Sequence, residues 1–335
     1  MRAWVLHEPS PLEQQPLQLE DLPDPVAGPG EIVMDVDVCG LCRTDIHIAQ
    51  GEIKLPVLPI VPGHQAVGRV RERGEGAERF EVGARVGVAW LHRTCARCRD
   101  CARGDENLCR AARFSGYHEP GGFAERVRIH ESFAYELPTA LDDARAAPLL
   151  CAGIIGYRAL RQADVTEGES VGLYGFGSSA HLALQLARHR RNRVFVVTRG
   201  ASHRELALRM GAEWAGGLDE RPPEPLDRAV IFAPAGELIP RALEAVRWGG
   251  TVASAALHMS AIPEMDYGQH LFGERTLRST TAGTRRDGIE LMETAEAAGI
   301  RPEITEFPFE QVNEGLLAIR EDRVDGSAVL RVRET

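Results

Sequence analysis

A chain of 335 residues exceeds what one hydrophobic core ordinarily organises, so two domains are expected. A formal net charge of −10 argues against a general affinity for nucleic acid or anionic membrane, and 44% apolar with 26% charged residues is the composition of a soluble globular protein. No apolar run approaches the roughly 18 residues a membrane helix needs, and Met1 to Pro11 lacks a basic start followed by an apolar stretch, so the expected compartment is the cytoplasm. Lys54 is the only lysine, which reads as a compositional bias towards arginine. Seven cysteines in a reducing compartment are poor disulfide material, and metal ligation is the better expectation.

In chain order, Arg2 to Leu6 alternates like a strand, Pro9 to Pro29 reads as a polar, proline-rich connection, and Glu31 to Val38 alternates again. That strand delivers the chain to C-G-L-C-R-T-D-I-H at 39–47, followed by P-G-H-Q-A-V-G at 62–68. A thiol (Cys42), a hydroxyl (Thr44), a carboxylate (Asp45) and two imidazoles (His47, His64) thus fall within 23 residues. A catalytic zinc takes three protein ligands and keeps a fourth position for water or substrate. Cys42 and His64 suit two of these places, and Cys151 in P-L-L-C-A-G at 148–153 is the leading candidate for the third. Short strands at Val67–Val70 and Arg85–Val88, separated by glycine turns, indicate an antiparallel, barrel-like domain.

Cys95, Cys98, Cys101 and Cys109 follow, separated by two, two and seven residues. Four thiolates so close in sequence can enclose a tetrahedral ion with no position left for substrate, the geometry of a structural zinc site. An iron–sulfur cluster uses similar spacing, but its common bacterial run closes sooner, with Cys-Pro.

From Ser170 the pattern changes. V-G-L-Y-G-F-G-S-S-A-H-L-A-L-Q-L-A-R is an apolar strand, a glycine turn and a helix, and Gly175, Gly177 and Ala180 form the dinucleotide fingerprint G-x-G-x-x-A. The glycines let the backbone approach a pyrophosphate, and the helix N-terminus at Ser178 and Ser179 offers N–H groups and a positive dipole end. Strands follow at Arg193–Thr198, Ala212–Ala215, Arg228–Ala233, Thr251–Ala256 and Thr276–Thr281, with helices at Ser202–Met210 and Glu237–Arg247 and a proline-rich loop at Arg221–Pro225. The expected architecture is α/β with a β-rich domain: a doubly wound parallel sheet of six strands beside the barrel. Helices Arg286–Ala298 and Glu310–Arg320 and a strand Ala328–Val332 then return the chain to the first domain.

Taken together, C-R-T-D-I-H at 42–47, G-H-Q-A-V-G at 63–68, G-G-F-A-E at 121–125, the Cys95–Cys109 cluster and G-F-G-S-S-A at 175–180 make the whole chain resemble the zinc-dependent alcohol dehydrogenases of the medium-chain dehydrogenase/reductase family. The resemblance implies a Rossmann coenzyme domain at 153–285 inserted into a barrel-like, GroES-like catalytic domain at 1–152 that resumes at 286–335, with a structural-zinc lobe at 92–110. It implies two zinc ions, one on Cys42, His64 and Cys151 and one on the four clustered cysteines. Two thiolates and a neutral imidazole cancel the charge of zinc and leave a Lewis acid. Thr44 would take the alcohol proton and pass it through the cofactor ribose to His47, which reaches solvent. Arg43 falls at a cofactor-phosphate contact, Asp45 behind the zinc ligands, and Trp90 and Ile53 on the walls of the substrate pocket. Cys39, left without a role, is expected to be a small buried hydrophobe. A dimer or tetramer is implied, its coenzyme domains meeting around Thr276–Gly283.

Three departures from the family pattern matter. Gln65 stands where most relatives have Glu behind the zinc, and a neutral amide is a poorer ligand. Thr198 followed by Arg199 replaces the acidic residue that holds the ribose 2′-OH of NAD, which favours NADP over NAD. Ser327 replaces an arginine that touches the pyrophosphate in many relatives. The expected activity is interconversion of primary alcohols and aldehydes with a nicotinamide cofactor. Its alternatives are a polyol, cinnamyl-type or formaldehyde dehydrogenase, a zinc-free quinone or enoyl reductase, and a non-catalytic nucleotide-binding or redox-sensing relative.

Overall fold

The computed structural model describes residues 1–333. The chain divides into two compact units, Met1–Cys151 together with the segment from Ala282 onward, and Ala152–Thr281.

The first unit is built on a seven-stranded, mainly antiparallel sheet. Its order is Ile304–Pro308, Ser327–Arg331, Glu31–Leu41, Ala66–Arg73, Arg85–Val88 and Ala134–Tyr135, with Arg126–His130 also pairing on Glu31–Leu41. The 31–41 strand is its spine. Ile32, Met34 and Val36 are fully buried in the core of the unit, and two register shifts against the 66–73 strand let a strand of this length bend around that core. One pair, 304–308 with 327–331, is parallel. Parallel neighbours need a crossover, and the helix Val312–Arg320 provides it, burying Val312 and Leu316.

Chain segments read as loop also carry structure. Within the proline-rich 9–29 stretch, Leu17–Asp21 pairs antiparallel with Arg2–Leu6, and Arg43–Gln50 forms a helix immediately after the long strand. The strands Arg126–His130 and Ile304–Pro308 and the helix Ala152–Gln162 were also not expected; the first two are exposed on alternate residues and carry a weak apolar signal.

The second unit is the expected parallel sheet, ordered Trp214–Gly216, Arg193–Val197, Ser170–Tyr174, Leu226–Ile231, Val246–Ser254, Thr276–Ser279. Val171, Leu173, Val194, Val196, Ala229 and Val230 have at most negligible exposure, as expected of central strands covered on both faces. Helix Leu238–Ala245 ends two residues earlier than its apolar pattern suggested, because Val246 already pairs with Leu226 as the first residue of a strand. No helix among the described residues is long and apolar enough to cross a membrane.

Candidate active site and metal centres

Two neighbouring antiparallel strands bring the first cluster together. Cys39 lies opposite Ala66 in the register, so Cys42, three residues after Cys39, and His64, two before Ala66, emerge at the same end of the sheet. Gly63 is required at this turn: a Cβ there would sit 2.5 Å from the Phe123 ring and 2.7 Å from its backbone nitrogen. That close approach explains the G-G-F segment at 121–123, which packs against the turn. Cys151 follows the short helical stretch Ala147–Leu150, which touches both strands.

Cys42 Sγ lies 3.3 Å from His64 Nε2, and one donor atom from each of Cys42, His64 and Cys151 falls within a common 4.8 Å. With Zn–S near 2.3 Å and Zn–N near 2.0–2.1 Å, tetrahedral geometry places such S and N atoms roughly 3.6 Å apart. Donor type and spacing therefore both fit zinc. The hydrogen bond from Cys151, then the neighbouring His64, holds the Cys42 thiol well below its ordinary value against the opposing effect of burial, while the Cys151 thiol is pushed well up by its bond to Cys42 and by burial. One thiol is thus prepared as a thiolate and the other shares its proton, which a cation would displace.

Asp45 organises this centre from behind and is fully buried. Its Oδ1 lies 3.1 Å from His64 Nδ1 and its Oδ2 accepts the Cys42 backbone N–H at 2.9 Å. The Cys42 sulfur in turn accepts the Thr44 N–H at 3.3 Å, so the metal-facing thiol is also the cap of helix 43–50. Gln65 is buried, and its amide nitrogen has no hydrogen-bond partner among the described residues. Its side chain fills the space beside Gly40.

Thr44 and His47 lie three apart on the same helix and so share a face. His47, expected to reach solvent, is buried instead: its side chain is 9% exposed, against 39% for Glu52, whose carboxylate is bonded to His47 Nδ1. Arg43, at the first position of this helix, is exposed.

Trp90 stands beside the metal ligands, its ring 4.9 Å from that of His64 and perpendicular to it. Two residues that the sequence did not single out complete this wall: Phe114 stacks on Trp90 at 5.0 Å and Tyr117 lies 5.7 Å away. The Tyr117 hydroxyl donates to the carbonyl of Lys54 at 2.6 Å, tethering the segment that carries Ile53 and Leu55. Ile53, Leu55, Trp90 and Tyr117 pack around Leu6, Ile48 and Ile60.

The second cluster gathers Cys95, Cys98, Cys101 and Cys109, with S···S distances of 3.5, 3.5 and 4.0 Å. A tetrahedron of Zn–S bonds near 2.3 Å has edges of roughly 3.8 Å, whereas a disulfide would need about 2.05 Å. Backbone N–H groups of Arg97 and Cys98 pull the Cys95 thiol down to about 6. Burial pushes Cys101 up to about 11. Glu106, buried in the same lobe, takes a three-nitrogen grip from Arg285: backbone N at 2.8 Å, Nε at 3.0 Å and Nη2 at 2.7 Å.

In the second unit the glycine turn has the form a dinucleotide phosphate needs. Gly175 has φ +88°, and a Cβ there would meet the Ala233 backbone at 2.9 Å. A Cβ on Gly177 would meet nothing within 4 Å, so space lies open where the helix Ser178–His189 begins. At the end of the neighbouring strand Thr198 is buried and Arg199 exposed. Arg204, which sequence reasoning passed over, donates to the carbonyls of Thr198 and Arg199 at 3.1 and 2.7 Å, placing a second guanidinium beside that strand end. Cys39 is fully buried with a raised thiol, as expected of a core residue.

Residues 28–139 match the alcohol dehydrogenase GroES-like domain. The chain is 42% identical over 338 residues to the "Probable alcohol dehydrogenase AdhA" of Mycobacterium tuberculosis, covering 99% of this chain and 97% of that one. It is 31% identical to an alcohol dehydrogenase of Geobacillus stearothermophilus, covering the full length of both. The fold superposes on a cinnamyl alcohol dehydrogenase from Sorghum bicolor with a TM-score of 0.90 at 24% identity, covering 100% of this chain and 99% of that one. With its full-length relatives and its two cysteine-rich centres, the chain belongs to the zinc-dependent alcohol dehydrogenases of the medium-chain dehydrogenase/reductase family.

Proposed function

We propose that this enzyme interconverts primary alcohols and aldehydes using NADP(H) in preference to NAD(H), with one zinc on Cys42, His64 and Cys151 and a second on Cys95, Cys98, Cys101 and Cys109. The observation that carries the reading is the convergence of two thiols and one imidazole within 4.8 Å, beside an aromatic wall. Zinc held there supplies a Lewis acid that polarises an alcohol oxygen and eases loss of its proton. The nicotinamide supplies the hydride acceptor or donor.

The chain's own residues do the rest. Asp45 orients His64 and fixes Cys42, so two of the residues that would hold zinc are set in place before it binds. The Thr44 hydroxyl, which both donates and accepts, takes the alcohol proton, and His47 on the same helical face receives it in turn. Trp90, Phe114 and Tyr117 form an aromatic cluster next to the ligands, which favours an aromatic or cinnamyl-type alcohol over a small polyol. The four-cysteine cluster, with no position left open, keeps the 92–110 lobe folded. Gly175, Gly177, Ser178 and Ser179 cradle the pyrophosphate at the N-terminus of helix 178–189. At the strand end, Thr198 and Arg199 stand where NAD-preferring relatives carry an acidic residue, and Arg204 adds a second guanidinium beside them, which supports the NADP preference. A homodimer or homotetramer joined through the 276–283 region accords with the open edge of the Thr276–Ser279 strand.

Initial rates for benzaldehyde and a short aliphatic aldehyde, with NADPH and NADH in parallel, test the reading. A large NADPH preference with faster benzaldehyde reduction is expected. NADH preference would remove the assigned role of Arg199, and no turnover with either would defeat the proposal.

A further inference from the structure

The connection between strands Trp214–Gly216 and Leu226–Ile231 is unlike the others in the parallel sheet. These strands lie three positions apart in the sheet order, so the chain crosses over strands 193–197 and 170–174, roughly 14 Å at about 4.8 Å per strand. A crossover in a parallel sheet ordinarily carries a helix that covers the strands beneath it. Residues 217–225 make this one without a helix, and Pro222, Pro223 and Pro225 each lack the N–H of a helical ladder.

The face left uncovered holds a groove of about 580 Å³, within the size range of small-molecule sites. Its apolar lining, Tyr174, Val197, Leu218 and Ala245, belongs to one hydrophobic cluster. The groove runs from Tyr174 and Val197, the last residues of their strands, to Pro225 and Ala245, which immediately precede strands 226–231 and 246–254. It therefore extends down the face of the sheet, away from the carboxyl end where a dinucleotide binds.

Tyr174 is only 3% exposed, yet its hydroxyl is bonded to no described residue. Buried tyrosine hydroxyls ordinarily find a partner. The charges that act on this one are Arg221 and Glu244, both on the rim of the groove, so the hydroxyl is directed into it. The rim carboxylates are spent within the protein. Glu244 is engaged on both oxygens, by Arg221 at 2.9 Å and by His270 Nε2 at 3.2 Å. Glu224 pairs with Arg193, Glu220 accepts the Gly217 N–H, and Asp219 faces Arg241. The guanidiniums are not spent: Arg221 uses one nitrogen on Glu244, and Arg241 uses one on Asp219 and the Leu218 carbonyl. A guanidinium has five N–H donors, so the capacity left over at this groove is for an acceptor.

We propose that the groove binds a small organic carboxylate with an aromatic or branched apolar body. The body lies on Val197, Leu218 and Ala245, and the carboxylate accepts from the Tyr174 hydroxyl and from the guanidiniums of Arg221 and Arg241. The site is separate from the metal centre and from the glycine turn, and it takes its ligand without covalent chemistry.

The test titrates the full-length, zinc-loaded protein with 4-fluorobenzoate and follows the fluorine NMR line width, beside 4-fluorobenzamide and 4-fluorobenzylamine as neutral and cationic counterparts. Saturable binding of the carboxylate is expected, with a Kd of about 1 mM or tighter. It should be unchanged by saturating NADPH and retained in Cys151→Ser, where a carboxylate held by the metal centre would be lost. Both counterparts, and the carboxylate with the exposed substitution Arg221→Gln, should bind about 10-fold more weakly, as loss of a charge-assisted hydrogen bond implies. Tyr174→Phe should also weaken binding, yet leave the melting temperature within about 1 °C of wild type, because no bond inside the protein is lost. Absence of saturable binding, equal binding of the amide or the amine, displacement by NADPH, or loss in Cys151→Ser would overturn the inference. So would full affinity in both Arg221→Gln and Tyr174→Phe. A melting temperature several degrees lower in Tyr174→Phe would do the same, by showing that the hydroxyl is bonded within the protein.

Discussion

Asp45→Asn isolates what one buried carboxylate does for the metal centre. Asp45 accepts from two ligand residues at once, the His64 ring at 3.1 Å and the Cys42 backbone N–H at 2.9 Å, with no surface exposed. Asparagine preserves the shape but has only one accepting oxygen, and its NH2 faces a donor whichever way it turns. Loss of such an orienting partner costs about 10–100-fold in metal affinity, or about 1.4–2.7 kcal/mol at 1.36 kcal/mol per tenfold. Competition with a zinc-selective chelator reads this directly, and thermal unfolding at fixed free zinc reads it through linkage. A hundredfold loss removes about 2.7 kcal/mol of zinc-linked stability, roughly 2–4 °C per kcal/mol for a unit of this size. The metal-free protein should not lose stability to the same extent, because burial raises the Asp45 carboxyl above its ordinary value and asparagine removes that unfavourable charge. Zinc affinity within twofold of wild type, or equal destabilisation with and without zinc, would refute the reasoning.

The glycine turn predicts a contrast. Gly177→Ala has room for its methyl and should leave the melting temperature within about 1 °C of wild type while weakening NADPH binding, whereas Gly175→Ala combines φ +88° with a 2.9 Å backbone contact and should destabilise by roughly 1–3 kcal/mol. Melting curves beside fluorescence titrations with NADPH separate the two; equal behaviour would contradict the placement. Acid stability should follow His92, which burial holds down to about 4 beside Ser115 Oγ at 3.2 Å. A depressed folded value means the contribution is complete above the ordinary 6.5 and is lost as pH falls through about 4, a loss of about 3 kcal/mol in all. Urea midpoints between pH 7 and 4 should fall less steeply in His92→Gln, and unchanged steepness would show that other groups govern acid unfolding.

Much of this architecture was legible because its signals are local. The alternation of Ile32, Met34 and Val36, the glycine turn at 175–177 and the spacing of Cys95, Cys98, Cys101 and Cys109 each declare themselves within a short stretch of sequence. The central strands of the parallel sheet, Ser170–Tyr174, Arg193–Val197 and Leu226–Ile231, were readable for the same reason, since buried strands are largely apolar runs. What escaped depends on contacts made by the fold. Phe114 and Tyr117 reach Trp90 only through the pairing of Leu91–Arg93 with Arg113–Phe114 and the tether to Lys54. Arg204 turns back onto the end of its preceding strand from within a helix. Glu52 was the nearest miss: a glycine one residue earlier already marked a helix end, and a carboxylate five residues past a histidine was in view. The turn at Gly51 brings the Glu52 carboxylate onto the His47 ring, which is buried rather than solvent-facing.

The most direct measurement of the central claim is zinc content and benzyl alcohol turnover in Cys151→Ser beside Cys98→Ser. If Cys42, His64 and Cys151 hold the catalytic ion, Cys151→Ser should fall from two zinc per chain towards one and lose at least about 10³-fold in turnover, with its fold intact. Cys98→Ser should also lose one zinc, but through destabilisation of the 92–110 lobe. Two zinc ions and wild-type turnover in Cys151→Ser would contradict the assignment.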